Sequence, residues 1–276
     1  MKRLITKPLA LVLILVCLEL AAQNNEQNLG LRLGYSFQLG GNYGKMTDYY
    51  NGSIAFGFTG QDEIVKPTFA SGINLGLAYD YFFDKIGFGV DLGFLQGSEF
   101  EEEQQIINTA GEGYQINRYD NSRFYRLAPS LLIRSASRMN QDYLYMGVGP
   151  IINAGSFERF YESEGLSQDD RYVARYSTFL NFGFTSTLSY RKRLNENFAV
   201  DFGIRYEHLN FVPKKREYLE FYRDGEKLEL TEFRRVTIYV DEVSEGEVDT
   251  SEPGEAVKIS FPLSNISFFI RANLSL

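Results

Sequence analysis

The chain carries one histidine, His208, and histidine is the side chain best suited to exchanging a proton near neutral pH. A hydrolase acting on a lipid ester or a peptide needs such a group, with a serine or aspartate partner arranged to activate a nucleophile or a water. Glu207 and Asn210 lie close to His208 in sequence, but neither a His-x-Ser nor an Asp-x-His spacing occurs there. On a strand, Glu207 would face the opposite side. The reading is an interfacial histidine among aromatic residues, so no catalytic residue is assigned and no enzyme activity is expected. A larger set of reactive groups is a series of charges at regular positions: Arg32, Asp80, Asp91, Arg126, Arg134, Asp201, Arg205, Glu207 and Arg271. Guanidinium and carboxylate groups on one face could line a selective pore, or could satisfy one another as a salt-bridged plug. The acidic runs Glu99 to Glu103 and Asp241 to Glu255 lack the spacing of a calcium loop and read as solvated loops. No metal site and no cofactor is expected.

What places these charges is a period of two. In the segment Asn265 to Leu276 every even position is apolar: Ile266, Phe268, Ile270, Ala272, Leu274 and Leu276. Asn265, Ser267, Arg271, Asn273 and Ser275 alternate with them, and Phe269 is the exception. A strand places successive side chains on opposite faces, so this one has an oily face and a wet face. Crossing a bilayer takes roughly 9–11 tilted residues. A terminal strand of this kind would leave an open edge in lipid, so the expectation is a closed barrel.

The same alternation recurs upstream, from Leu29 to Gly40, Ile73 to Tyr81, Phe88 to Phe94, Tyr125 to Arg134, Leu144 to Asn153, Leu180 to Tyr190 and Phe198 to Glu207. With the last segment this makes eight strands. Their connections alternate long and short: long at 42–67, 97–121, 156–175 and 211–258, short at Phe83-Asp84-Lys85, at Met139-Asn140-Gln141 and at Lys192 to Asn197. Short turns on one side, long loops on the other and an even strand number are the pattern of an outer-membrane barrel. Inside the fourth loop, Tyr218 to Tyr222, Asp224-Gly225 and Lys227 to Phe233 read as a hairpin with a tight turn, and Val236 to Val240 as a further β segment. That hairpin is either a separate structured loop or strands seven and eight running on past the bilayer.

Composition agrees. The 276 residues include 19 Tyr, 23 Phe and 25 Gly, with no Trp, and mean hydropathy is slightly negative. An α-helical membrane protein could not be so polar, whereas a barrel shows lipid only half of each strand. The net charge of −8 argues against a nucleic-acid partner. At the N-terminus Lys2, Arg3 and Lys7 precede an apolar run from Leu9 to Leu18, followed by Ala21-Ala22. This is the make-up of a signal peptide over 1–22, leaving 23–276 as the barrel domain. Cys17, the single cysteine, lies in the apolar run, and Val16 before it is not the small residue that a lipoprotein signal needs. The expected mature chain has no disulfide.

Two features choose between a membrane barrel and a soluble one with its oily face inside. The polar face is crowded with Gly, Ser, Thr and Asn, as a narrow interior requires. Every lysine after the signal (Lys45, Lys66, Lys85, Lys192, Lys214, Lys215, Lys227, Lys258) falls in an expected loop or turn. Stretches such as Tyr125-Arg126-Leu127-Ala128-Pro129-Ser130-Leu131-Leu132 and Leu144-Tyr145-Met146-Gly147-Val148-Gly149-Pro150 resemble the small outer-membrane β-barrel family common in the Bacteroidota (OmpA-like and PorT-like barrels). The resemblance covers nearly all of the expected mature chain and implies an architecture without a particular chemistry. The expected fold is all-β: an eight-stranded antiparallel up-and-down transmembrane β-barrel with long extracellular loops, in the outer membrane of a Gram-negative cell. An eight-stranded interior is filled by side chains, which favours the plug over the pore. The expected role is non-enzymatic, a structural or binding component acting through its loops. Expected partners are outer-membrane lipid, lipopolysaccharide and a protein at the loops or the barrel wall. A small-solute channel is the second reading, a lipid-modifying enzyme the third.

Overall fold

The computed structural model describes residues 26–39, 70–98, 100–107, 113–135, 142–164, 169–243 and 250–276. The expected signal segment 1–22 with Cys17, the first long loop at 42–67, Glu99 and the turn at Met139-Asn140-Gln141 lie outside the described residues. In chain order the strands are β1 (Glu26–Gln38), β2 (Gly72–Phe83), β3 (Ile86–Gly97), β4 (Phe100–Ile107), β5 (Gly113–Arg134), β6 (Tyr143–Glu164) and β7 (Asp170–Arg193). They continue with β8 (Phe198–Phe211), β9 (Lys215–Arg223), β10 (Glu226–Lys227), β11 (Val236–Val240), β12 (Gly254–Val257), β13 (Phe261–Pro262) and β14 (Asn265–Ser275). One helical turn, α1 (Glu232–Arg235), precedes β11.

Eight of these strands form a ring. The order is β1, β2, β3, β5, β6, β7, β8 and β14, each antiparallel to both neighbours, with β14 returning to β1. The period of two decides what faces where, and burial runs opposite to that of a water-soluble core. On β1, Leu31 and Leu33 are 69 % and 59 % exposed, while Arg32 between them is 3 % exposed. The same inversion holds on β2, where Asp80 is buried and Leu75 and Leu77 are exposed, and on β14, where Arg271 is buried and Ile270 is exposed. Water would not select a surface of Leu, Ile, Val and Phe around a charged interior; hydrocarbon would.

The strands are longer than the alternation indicated. β5 and β6 have 22 residues each and β7 has 24, about twice the 9–11 that a crossing needs. Much of the expected second and third long loops is therefore strand: β4 pairs with β5 from Phe100↔Asp120 to Ile107↔Gly113, and β6 pairs with β7 as far as Glu162↔Arg171. Once both faces leave lipid, a strand no longer needs an oily side, and the alternation that marks it fades. Part of the expected fourth loop at 211–258 is likewise sheet. β9 joins β7, β11 joins β9 and β12 joins β11 in parallel. Asp224-Gly225 makes the expected tight turn, with φ of 52° and 80°, the left-handed pair such a turn requires. The returning arm is shorter than expected: β10 is Glu226–Lys227 only, and Glu232–Arg235 coils into α1. The result is a sheet rising above one side of the ring on the side of the long connections, in the order β4, β5, β6, β7, β9, β11, β12.

Two prolines interrupt the wall. β5 and β6 pair in one register on either side of a gap, through Leu127↔Ile152 below it in sequence and Leu131↔Val148 above it, and that register sets Pro129 opposite Pro150. Pro129 still pairs with Val90 on β3 and Pro150 with Phe184 on β7. The missing N–H groups therefore belong to the β5–β6 ladder, and each proline faces a carbonyl it cannot serve. No bulge is involved, because the register is unchanged across the gap; the shift in β6–β7 lies higher, between Asn153 and Gly155. Gly149 sits in the gap, where a Cβ would lie 2.0 Å from the Pro129 carbonyl oxygen. Replacing both prolines by alanine is expected to restore two ladder bonds and to slow amide exchange at 128–130 and 149–151. The two bonds are worth about 0.5–1.5 kcal/mol each, and the lost rigidity of the unfolded chain offsets about 0.4–1 kcal/mol per proline. Exchange rates are thus the decisive measurement, and unchanged rates would show that the gap has another cause.

Candidate functional site

The interior of the ring is where the nine charges singled out in sequence come together. Arg32 donates to Asp91 at 2.7 Å. Arg205 reaches the same carboxylate at 3.0 Å and lies 3.8 Å from Glu207. Arg126 forms an ion pair with Glu207. Nearer the short turns, Arg271 meets Asp201 at 2.6 Å and also contacts Asp80. Arg134 pairs with Glu26. All nine are buried, each on an inward position of a ring strand.

Sequence reasoning missed the group that joins them. Arg191 is fully buried and bonds Asp201 at 2.7 Å, Asp80 at 2.9 Å and the Tyr143 hydroxyl at 2.9 Å, with Glu26 at 3.5 Å. It shares the parity of Ser189, and β7 continues through it to Arg193. Glu26 was missed in the same way at the start of β1, two positions before Asn28. Extending each strand by its own parity would have found both. Glu26 also receives Arg193 at 2.6 Å. Tyr145, at the same parity as Tyr143 on β6, donates to Asp201 at 2.8 Å. Phe82, Leu132, Tyr143 and Tyr145 form a buried cluster at this level, with the Arg134 guanidinium 4.8 Å from the Phe82 ring centre.

Phe269, the break in the alternation of β14, points inward and has a slot made for it. Its register partners are Gly34 on β1 and Gly203 on β8. A Cβ on Gly203 would stand 2.5 Å from the ring and one on Gly34 would stand 2.9 Å from Phe269 Cβ. Arg32 lies 5.7 Å from the ring centre. A cavity of about 20 Å³ lies in this part of the lumen, room for about one water.

Toward the long connections the inward face changes character. Leu95, Phe124, Ile151, Phe157, Leu209, Phe211, Phe261 and Leu263 make one apolar core across the mouth. Phe157 stacks on Tyr176 at 4.5 Å and meets Phe211 and Phe261 edge-on. Above it, Arg159 clasps Asp120 through two bonds of 2.9 and 2.8 Å. On the raised sheet, Tyr172 stacks with Tyr161 and lies edge-on to Tyr218; burial pushes the Tyr172 hydroxyl well above the usual range. The other face carries Arg171 between the rings of Phe160 and Tyr222, at 5.5 and 5.4 Å. Glu217 holds β9 to the segment around β11: a bond from Lys215, then the attraction of Lys215 and Arg235, keep its carboxyl below the usual range against some burial. Phe179, at the step where β7 shifts register, is 80 % exposed.

His208 lies on the outer face of β8, and its Nδ1 is 3.0 Å from Ser264 Oγ. Serine at this distance is the pairing that the sequence spacing did not show. Among the described residues no carboxylate bonds the other ring nitrogen; the Glu207 side chain is turned into the lumen on Arg126 and Asn265. A serine nucleophile needs a base that is itself held and oriented, and this pair lacks that third group. Among the described residues no group of three or more His, Cys, Asp or Glu is placed to hold a metal, and no helix is long and apolar enough to cross a membrane.

No protein-family model matches the chain, and no curated protein matches it. Among solved structures, it is similar to the crystal structure of Ail, the attachment invasion locus protein of Yersinia pestis, at 12 % identity and a TM-score of 0.32, covering 91 % of this chain and 97 % of that one. A second structure of Ail, in complex with the heparin analogue sucrose octasulfate, is similar at 11 % identity and a TM-score of 0.33, with the same coverage. The chain's own geometry is a ring with a charged interior, an apolar cap and a sheet raised to one side.

Proposed function

We propose that the chain is an integral outer-membrane β-barrel of a Gram-negative envelope, closed around a plugged lumen, that acts without enzymatic chemistry as a structural or binding component through its raised sheet. The observation that carries this reading is the inverted burial: apolar side chains outside and ion pairs inside, over strands long enough to cross a bilayer and continue beyond it. The strand motifs around Pro129 and Pro150 favour a place among the small OmpA-like and PorT-like barrels. Residues 1–22 serve as the export signal in this reading. Lipid and lipopolysaccharide surround the apolar belt, and a protein partner engages the raised sheet.

Two obstructions in series support the plug: the ion pairs interleaved with the aromatic cluster of Phe82 and Tyr143, and the apolar core around Phe157 toward the long connections. Purified protein in a planar bilayer is expected to give little or no steady current, and its band on a gel is expected to shift only after boiling. A large open current from the unmodified chain would overturn the plug in favour of the solute channel. A far-UV spectrum dominated by helix would overturn the barrel.

A further inference from the structure

The face of the raised sheet that turns away from the mouth continues the lipid-facing wall upward, and register carries it level by level. Above Tyr125 and Ala154, the last outward pair of the apolar belt on β5 and β6, comes a polar rim. There Arg123, Ser156, Ser177 and Lys215 stand side by side on β5, β6, β7 and β9. Four residues further along β5, about 13 Å, Tyr119 stands beside Phe160 and Phe160 beside Val173. The next outward level sets Glu162 beside Arg171 and Arg171 beside Tyr222. The wall thus passes from an apolar belt to a rim of hydroxyls and cations, then to an aromatic ledge. A glycolipid of an outer leaflet has the same order: acyl chains, a phosphorylated head, then sugars.

The ledge presents flat groups. The rings of Tyr119 and Phe160 are 5.4 Å apart, and the Arg171 guanidinium lies 5.5 Å from the Phe160 ring and 5.4 Å from that of Tyr222. Tyr119 and Arg171 are exposed, whereas Arg159 and Tyr161, on the opposite face of β6, are buried. Two rings hold the guanidinium in place, and among the described residues its N–H groups bond no carboxylate. Aromatic rings take the C–H faces of sugars, and a held guanidinium donates to their hydroxyls. Glu162 and Glu220, the latter beside Val173, can accept from hydroxyls and would repel a polyanion. That sets the class at this level as an uncharged sugar.

We propose that this wall holds one glycolipid of the outer leaflet lengthwise. Its hexose rings lie on Tyr119, Phe160 and Tyr222, their hydroxyls bond Arg171 and Glu162, and the phosphorylated head is level with Arg123. The inference rests on the outer-membrane reading and adds which neighbour the sheet engages. Protein hot spots are also rich in Tyr and Arg, but this face looks along the membrane plane, where the neighbour is lipid.

The test uses the full chain in phospholipid nanodiscs, with two probes made from lipopolysaccharide by mild acid: the released polysaccharide and the lipid A left behind. Relative to empty nanodiscs, saturation-transfer NMR is expected to show transfer to hexose ring protons. The transfer should persist in about 1 M salt, where exposed charges are screened beyond about 3 Å. Phe160→Ala and Arg171→Gln are each expected to weaken polysaccharide binding about tenfold. Phe160→Tyr should bind as the parent does, and all three should keep the boiling-dependent gel shift. If Phe160→Ala does not fold, Arg171→Gln, on an exposed side chain, carries the test. No transfer to sugar from a chain whose band still shifts would overturn this inference and leave the barrel standing. A band that does not shift on boiling would overturn the outer-membrane reading and the inference with it. Transfer that disappears in salt, equal transfer in the folded variants, or binding of lipid A alone would each overturn the ledge as the site.

Discussion

Replacing Arg191 by methionine is expected to lower the stability of the barrel by about 3–5 kcal/mol, the cost of stripping one partner from a buried ion-pair cluster. Methionine has a similar length and would fill much of the same space, so the loss reports charge rather than volume. Arg191 serves Asp201, Asp80, Glu26 and Tyr143 together. Without it, Asp201 and Asp80 share Arg271 alone, and Glu26 depends on Arg134 and Arg193. Urea unfolding followed by gel mobility measures the effect. The contrast is Arg175→Met on the raised sheet, which breaks the ion pair with Glu158 at 2.6 Å. Both of those side chains are a little under half exposed, and such surface pairs contribute about 0–1 kcal/mol. An Arg191→Met barrel as stable as its parent would mean that the interior charges are passengers in a fold secured by its strands.

Truncating Phe157 to alanine is expected to cost about as much, roughly 3–5 kcal/mol, but in a different place. Its ring is buried at the centre of the cap, between Tyr176, Phe211 and Phe261. The cavity left behind would loosen the contact between the raised sheet and the mouth. Below it, the ion pairs of the lumen are built from other residues, Arg191 and Arg271 with Asp80 and Asp201. Limited proteolysis should therefore cut β9 to β11 in the variant while the boiling-dependent gel shift of the ring persists. Loss of the shift as well would show that cap and ring fold as one cooperative unit.

The ring was legible because lipid imposes a strict rule. Leu31, Arg32 and Leu33 can be assigned to faces by parity alone, and so can the charges that meet inside. Legibility ended where the rule does. Phe124 has the same parity as Arg126, and Phe211 the same as Glu207, yet above the ion pairs the inward face turns apolar. An inward Phe at that height looks, in sequence, like a strand that has ended. Arg191 was hidden because Lys192 beside it suggested a turn, and Glu26 because the apolar partners that reveal alternation begin only at Leu29. Contacts across the sheet, such as Ser264 on His208, depend on register, which parity does not supply. Opposite placement of Pro129 and Pro150 was within reach because both could be counted from one connecting turn.

The raised sheet is rooted in the ring by β5, β6 and β7, which run on as the same strands. Whatever grips its tip therefore pulls along the strands, and the rungs between them are loaded side by side, in shear, rather than peeled open one after another. Tension is spread over the ladders that β5 shares with β3 and β6, and β7 with β6 and β8. An interval that carries no share is the stretch between β5 and β6 at Pro129 and Pro150. There the wall would yield first, so the two prolines set the mechanical fuse of an otherwise stiff post.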